Sequence, residues 1–348
     1  MDISTFIAGL PKAELHVHLE GTLEPSLVKK LAQRNGINDI TVDESTEGFV
    51  FTDLTSFLAV YYPNMRVLLK EDDFFDLAWS YLQKAHSQNV LHSEMFFDPQ
   101  AHTSRGVPFP TVLAGYRRAI LKAHRELGIS AQLILCFLRD MSPEFAMATL
   151  MNALPYKDWI VGIGLDSDER DNPPSKFAAV FARARAEGFM LTAHCDIDQE
   201  GSIQHIRQVL EDIGVDRIDH GTNIVEDESL VEMARARGIG FTTCPVSNSI
   251  VTEDFKGKEI LDLLRKGIKV TVNSDDPAYF RAYMNENLLR LAEAEQGQGQ
   301  GKGQEQRQVT REELVRLQRN AFEVSWISAA KRDGFLGELD KYVKANSE

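Results

Sequence analysis

Glu14-Leu15-His16-Val17-His18-Leu19-Glu20-Gly21 decides how the rest of the chain is read. A β-branched residue between two histidines, with leucines on either side, reads as a strand, and strand residues two apart point the same way. His16 and His18 therefore present both imidazoles to one side, close enough to share a metal ion. Same-facing histidines also occur as hydrogen-bonded interior residues, and a short motif alone does not separate the two readings. What separates them is whether later strands bring further ligands to the same place.

Outward from that stretch, short apolar runs recur with long amphipathic segments between them. Eight runs follow in order: Glu14 to Glu20, Val90 to Asp98, Ala131 to Arg139, Trp159 to Asp166, Phe189 to Asp196, Arg217 to Asn223, Gly238 to Pro245 and Lys269 to Asp275. Several are nearly continuous in Val, Ile, Leu and Phe, which suits parallel strands buried on both faces. The segments between carry helical spacing, as in Lys176 to Glu187, where Phe177, Val180, Phe181 and Ala184 fall three or four apart. Eight strand and helix pairs in 348 residues predict an α/β fold of the (β/α)8 TIM barrel type. A doubly wound open sheet would show a Gly-rich phosphate loop after its first strand, where this chain has His-x-His.

The long stretch between the first two strands predicts extra helices, over Asp53 to Tyr62 and Asp72 to Gln88, with Phe57 to Pro63 as a lid. Ala292 to Gln308, around a Gln/Gly repeat, reads as a flexible low-complexity loop within one barrel domain covering 1–348. Helical periodicity returns from Arg311 to Trp326.

Chemistry in such a barrel sits at the strand C-terminal ends. Those ends hold His16 and His18, Glu94 and Asp98, Asp166, His194, Asp219 and His220, and Asp275 and Asp276. Ionisable groups inside apolar runs are expensive to bury unless paired or metal-bound. His16, His18, His194 and Asp275 form a set for one zinc or similar divalent ion with a position open for water. The ion would bring the water pKa from about 15.7 toward about 7, with His220 orienting the hydroxide and Asp275 taking its proton. A dinuclear site lacks its bridging lysine on strand four, which reads Gly162-Ile163-Gly164-Leu165-Asp166. The absence of Pro-Cys-x-x-Cys excludes the small zinc deaminase fold.

Composition, at 43% hydrophobic and 26% charged, is that of an ordinary globular protein, and a net charge of -14 argues against nucleic acid as a partner. Cys136, Cys195 and Cys244 form no Cys-x-x-Cys pair, which suits a reducing compartment. No signal peptide and no membrane-length apolar run is visible, so a cytoplasmic location is expected, with the nucleus left open. The oligomeric state is not legible.

The chain resembles the adenosine and adenine deaminase family from about Leu10 to about Gly337. The likeness is carried by Leu10 to Pro25, Asp98 to Gly106, Gly164 to Ser167, Arg217-Ile-Asp-His-Gly221, Cys244-Pro-Val-Ser-Asn248 and Asn273 to Phe280. Glu20, where nucleoside deaminases usually have Asp, and the Asp98 to Gly106 stretch look closer to the adenine deaminases. The resemblance implies His16, His18, His194 and Asp275 as zinc ligands and His220 as the hydroxide-orienting base. It also implies that Asp276 holds the purine at N7 and that the Ser167 backbone approaches the opposite edge of the ring. Strand five departs from the pattern. The family has His-Ala-Gly-Glu, whose Glu protonates the ring, whereas this chain reads His194-Cys195-Asp196-Ile197-Asp198-Gln199-Glu200-Gly201, with Ile197 in the place of the acid. Glu200, through a two-residue insertion, or Asp196, pointing inward with His194, is expected to replace it, Asp198 being further into the loop. The implied function is zinc-dependent deamination at C6 of adenine, or of an N6-substituted adenine, to hypoxanthine. Hydrolysis of another heterocycle, or purine binding without turnover, stays open.

Overall fold

The computed structural model describes residues 1–43, 48–197, 200–297 and 309–346. Eight strands form one sheet in chain order: β1 (Lys12–His18), β2 (Val90–Phe97), β3 (Ser130–Leu138), β4 (Ile160–Asp166), β5 (Met190–Cys195), β6 (Arg217–His220), β7 (Gly240–Thr243) and β8 (Lys269–Val272). Each pairs in parallel with the next. The sheet closes on itself where Asp275 N–H donates to His16 O at 3.0 Å and His18 N–H to Asp275 O at 2.9 Å. This is the expected TIM barrel, and every one of the eight apolar runs supplies a strand.

The barrel is filled and wrapped by apolar side chains, and its polar interior residues come in matched sets. Arg217, fully buried at the start of β6, donates to Glu94 Oε2 at 2.5 Å and stacks 3.9 Å over the Trp326 ring. Glu94 also accepts from Trp326 N–H and lies 3.2 Å from His92 Nε2. Glu94, expected among the rim residues, is thus spent on an internal ion pair with the residue that opens β6. A buried charge paired in this way is a structural device.

Two irregularities position the site. The β1–β2 register shifts between Glu14 and Val17, a bulge that re-aims the chain around His16. The β4–β5 pairing covers only Gly162 with Met190 and Ile163 with Leu191, so the two strands part toward the rim. Arg139, fully buried, fills that gap by donating to the His194 carbonyl at 2.9 Å and to the Asn172 carbonyl at 2.8 Å.

The expected helices between β1 and β2 appear as Leu54–Asn64 and Glu71–Ser87. Asp53 caps the first by accepting from Ser56 N–H at 2.7 Å. That helix packs Phe57 on Phe280 and Tyr61 on Tyr279 across the rim. The segment read as a loop from Ala292 starts later, because the helix Met284–Gly297 continues while Leu288, Leu291 and Ala292 remain buried. Residues 298–308 of that stretch lie outside the described residues. Among the described residues, no helix is long and apolar enough to cross a membrane.

Candidate active site

The C-terminal ends of the strands surround a cavity of about 510 Å³ including its mouth. Its polar wall holds His18, His194, His220, Asp275 and Asp276 together with Asp98, Asp166 and Ser167. His16 lies beneath, fully buried. Backbone geometry at the strand ends is unusual, since Ser167, His220 and Asp275 all take positive φ, at 75°, 58° and 64°. Left-handed conformations of non-glycine residues cost energy and persist where the surroundings impose them. Here they let a strand-end residue turn its side chain into the cavity.

Ligand atoms of His16, His194, His220 and Asp275 lie within 4.8 Å of one another. His18 joins them, with Nε2 3.1 Å from His194 Nε2 and 3.3 Å from Asp275 Oδ1. Asp275 Oδ1 is also 3.1 Å from His16 Nε2. The far nitrogen of each imidazole faces a polar group outside the cluster. His16 Nδ1 is 3.0 Å from the Thr242 carbonyl, His18 Nδ1 is 3.4 Å from Asp166, and His194 Nδ1 is 3.4 Å from Asp219. Asp219 in turn accepts from Thr192 and Thr242 hydroxyls, each at 2.8 Å. Outer partners of this kind orient imidazoles toward a metal.

The donor set fits a single divalent cation. Burial would lower His18, yet Asp276 and then Asp275 outweigh burial and lift it to about 10. That surplus of negative charge is what a cation would neutralise. Three Nε2 atoms and a carboxylate, all converging, are the ligands of a mononuclear hydrolytic site.

Of the other expected residues, His220 sits 3.6 Å from Asp275 Oδ2, and its Nδ1 is 3.1 Å from Asn248 Oδ1. With Nδ1–H donating to that amide oxygen, Nε2 faces the cluster unprotonated, and burial, then His16, holds the imidazole down at about 3. Asp276 precedes the helix Pro277–Phe280 but makes no side-chain cap bond, and its buried Oδ1 has no hydrogen-bond partner. Burial, then Asp275, pushes its carboxyl well above the ordinary range. Ser167 lines the cavity and its Oγ meets Tyr62 OH at 2.8 Å, fastening the expected lid to β4. Burial pushes Asp166 up to about 8 and also raises Asp98 beside it.

Strand five differs from the expectation. Alternation stops at Cys195, and Asp196 takes φ 68°, so its side chain does not follow His194 into the cavity. Asp196 Oδ2 instead accepts from Thr222 Oγ1 at 3.1 Å and Asn223 N–H at 2.7 Å. Glu200 is exposed and lines a second, outer cavity with Asp53, Asp168, Arg170 and Glu253. Asp198 lies outside the described residues. At the position of the family's acid, Ile197 itself lines the central cavity. Thr242 and Asn248 were not anticipated, and Tyr62 only as part of the lid segment. Of the first two, only Asn248 carried a signal, as the last residue of the Cys244 to Asn248 motif.

A family model described as adenosine deaminase matches residues 11–342. An uncharacterized deaminase of Schizosaccharomyces pombe is 51% identical over 347 residues, 99% of each chain. Among solved structures, adenine deaminase from Arthrobacter aurescens gives a TM-score of 0.88 at 39% identity, covering 97% of this chain and 100% of that one. A zinc-bound amidohydrolase from Burkhoderia ambifaria gives 0.84 at 26% identity, covering 99% and 95%. With the converging imidazoles and the barrel that carries them, this match across nearly the whole length makes the chain a member of the adenosine deaminase family, a metal-dependent hydrolase.

Proposed function

We propose that the protein is a zinc-dependent aminohydrolase acting at C6 of adenine or an N6-substituted adenine, releasing ammonia or an amine and leaving hypoxanthine. The observation that carries this reading is the convergence of His16, His194 and Asp275, joined by His18 through His194 and Asp275, at a cavity lined by Asp276 and Ser167. Likeness to an adenine deaminase over 97% of the chain supplies the substrate class, and the zinc-bound relative supports the choice of ion.

His16, His18, His194 and Asp275 would hold one ion. Bound there, it supplies Lewis acidity that brings the pKa of water from about 15.7 toward about 7. His220, its Nε2 facing the cluster, orients the attacking water, and Asp275 accepts its proton. Asp276, whose carboxyl burial pushes well above the ordinary range, holds the purine at N7, and the Ser167 N–H approaches N3. Tyr62 closes the lid over the ring and excludes water. The reaction forms a C6–O bond and breaks the C6–N6 bond, the amine leaving with a proton.

For the proton to N1 we assign Asp196 over Glu200. Burial pushes Asp196 up to about 7, the range of an acid working near neutral pH, and it adjoins the cavity-lining Ile197. To reach the ring, the Asp196 bend must release Thr222 and Asn223. Asp196→Asn is expected to lower kcat about 10²-fold with metal content unchanged, and Glu200→Gln is expected to change it little. A larger loss in Glu200→Gln than in Asp196→Asn would reverse the assignment.

One observation favours a second reading. Ile197, which lines the central cavity where the family's acid would stand, suits a heterocycle that needs no ring protonation, so hydrolysis of such a ring is the alternative. The deciding experiment follows absorbance of purified, zinc-loaded protein with adenine, N6-alkylated adenines and a panel of other aminated heterocycles. Turnover of adenine or an N6-alkyladenine is expected. Full zinc loading with every 6-aminopurine left intact would reject the purine reading, and adenine binding without product would leave a purine-binding pseudoenzyme. We place the protein in the cytoplasm, with the nucleus open, since all three cysteines are free and buried.

A further inference from the structure

We infer that Asp98 determines specificity by accepting a hydrogen bond from N9–H of the purine, so that the site takes free bases and refuses 9-substituted ones. This rests on the purine reading above.

The order of strands around the rim sets the orientation of the ring. Asp276 follows β8 and Ser167 follows β4, halfway round the barrel, so a purine with N7 at the first and N3 at the second spans the mouth. From N7 the perimeter runs one way through C8 and N9 to N3, and the other way through C6, N1 and C2. Attack at C6 requires that carbon over His220, at the end of β6. C6 and N1 then lie over β6 and β5, and C8 and N9 over β1 and β2. The residue that follows β2 and faces the cavity is Asp98.

Asp98 is 2% exposed, and its Oδ1 is buried with no hydrogen-bond partner. A buried carboxyl oxygen left without a donor at the wall of a cavity costs stability unless a ligand supplies one. The N9–H of a free base is such a donor, and it adjoins N3, where the Ser167 N–H approaches. The pair would read both atoms of that edge, one accepting and one donating.

Behind Asp98 the fold is closed. Glu20 Oε1 accepts from Tyr116 OH at 2.9 Å and from Asp98 N–H at 3.4 Å, and lies 2.8 Å from His102 Nε2. Glu20, His102 and Tyr116 are all fully buried. A sugar on N9 would have to displace this cluster, and it would set carbon against the carboxyl oxygen that lacks a partner. Sites built around a substrate N–H discriminate strongly against analogues without it.

The test compares adenine with 9-methyladenine. Wild type is expected to deaminate adenine and leave 9-methyladenine unchanged, a result that needs no variant. Asp98→Ala should lower kcat/KM for adenine about 10- to 30-fold, mainly through KM, and gain measurable turnover of 9-methyladenine. Asp98→Asn, which keeps a carbonyl acceptor, should restore most of the adenine activity. A purely structural role would depress both substrates in proportion and leave the discrimination ratio unchanged, overturning the inference. Comparable wild-type turnover of the two bases would overturn it also, even if Asp98→Ala failed to fold. Two metal ions per chain would assign Asp98, Asp166 and His18, whose ligand atoms lie within 4.8 Å of one another, to a second ion instead. A wild type that deaminates no purine would fail the underlying reading, and this inference with it.

Discussion

Asp275→Asn should yield a folded protein that no longer retains a divalent metal and deaminates at least about 10³-fold more slowly. Asp275 does two separable jobs. Its backbone closes the barrel by exchanging hydrogen bonds with the main chain of β1, and its carboxylate serves the cluster at 3.1 Å from His16 and 3.3 Å from His18. Asparagine leaves the first job intact, because it tolerates the left-handed conformation that Asp275 adopts at φ 64°. The second is lost. Burial would raise the Asp275 carboxyl, but His16 and His18 hold it well below the usual range, so it is the anionic member of the set. Metal analysis alongside kcat decides the matter. An Asp275→Asn protein that kept one ion per chain and normal turnover would remove Asp275 from both roles.

The two jobs of Asp275 show what was legible in the sequence. Strands were readable because parallel strands buried on both faces must be apolar, and the eight runs stand out against amphipathic helices. His16, His18, His194 and Asp275 were readable as polar residues at the ends of those runs. Side-chain direction just past a strand was not. Alternation predicts that Asp196 follows His194 inward, but a left-handed turn at Asp196 breaks the period and sends the carboxylate to Thr222 and Asn223. The partner of Glu94 was not legible either, as Arg217 lies 123 residues away and nothing local reveals the pair. Thr242 and Asn248, which orient imidazoles, are neutral polar residues whose role exists only once the barrel closes. Ala292 to Gln296 are strong helix formers, but the Gln/Gly repeat after them drew the loop boundary too early, and the helix runs on from the buried Leu288 and Leu291.

Gly21→Ala should lower kcat/KM about 10²-fold while the metal stays bound. The opening motif ends in this glycine, and the reason is a contact 255 residues away in sequence. A Cβ on Gly21 would lie 1.9 Å from Asp276 Oδ1, 2.6 Å from its Cγ and 2.7 Å from its Cα. Rotating the Asp276 side chain relieves the first two contacts but not the third, which is to backbone. The 3-10 turn Glu20–Thr22 must therefore separate from the start of the helix Pro277–Phe280, carrying Asp276 away from the cavity. Overpacking of this kind costs about 1 to 3 kcal/mol of stability, so the variant should fold with a lowered Tm. Displacement of a positioning group by about 1 Å is enough for a loss of the expected size. His16 and His18 precede the turn and are fixed by Thr242 and Asp166, so metal content should match wild type. Asp276→Asn separates strain from chemistry, since it removes the carboxyl without touching the packing. If Gly21→Ala retained wild-type kcat/KM, the close approach of this turn to Asp276 would have no part in aligning the substrate, and the glycine would be needed only for folding.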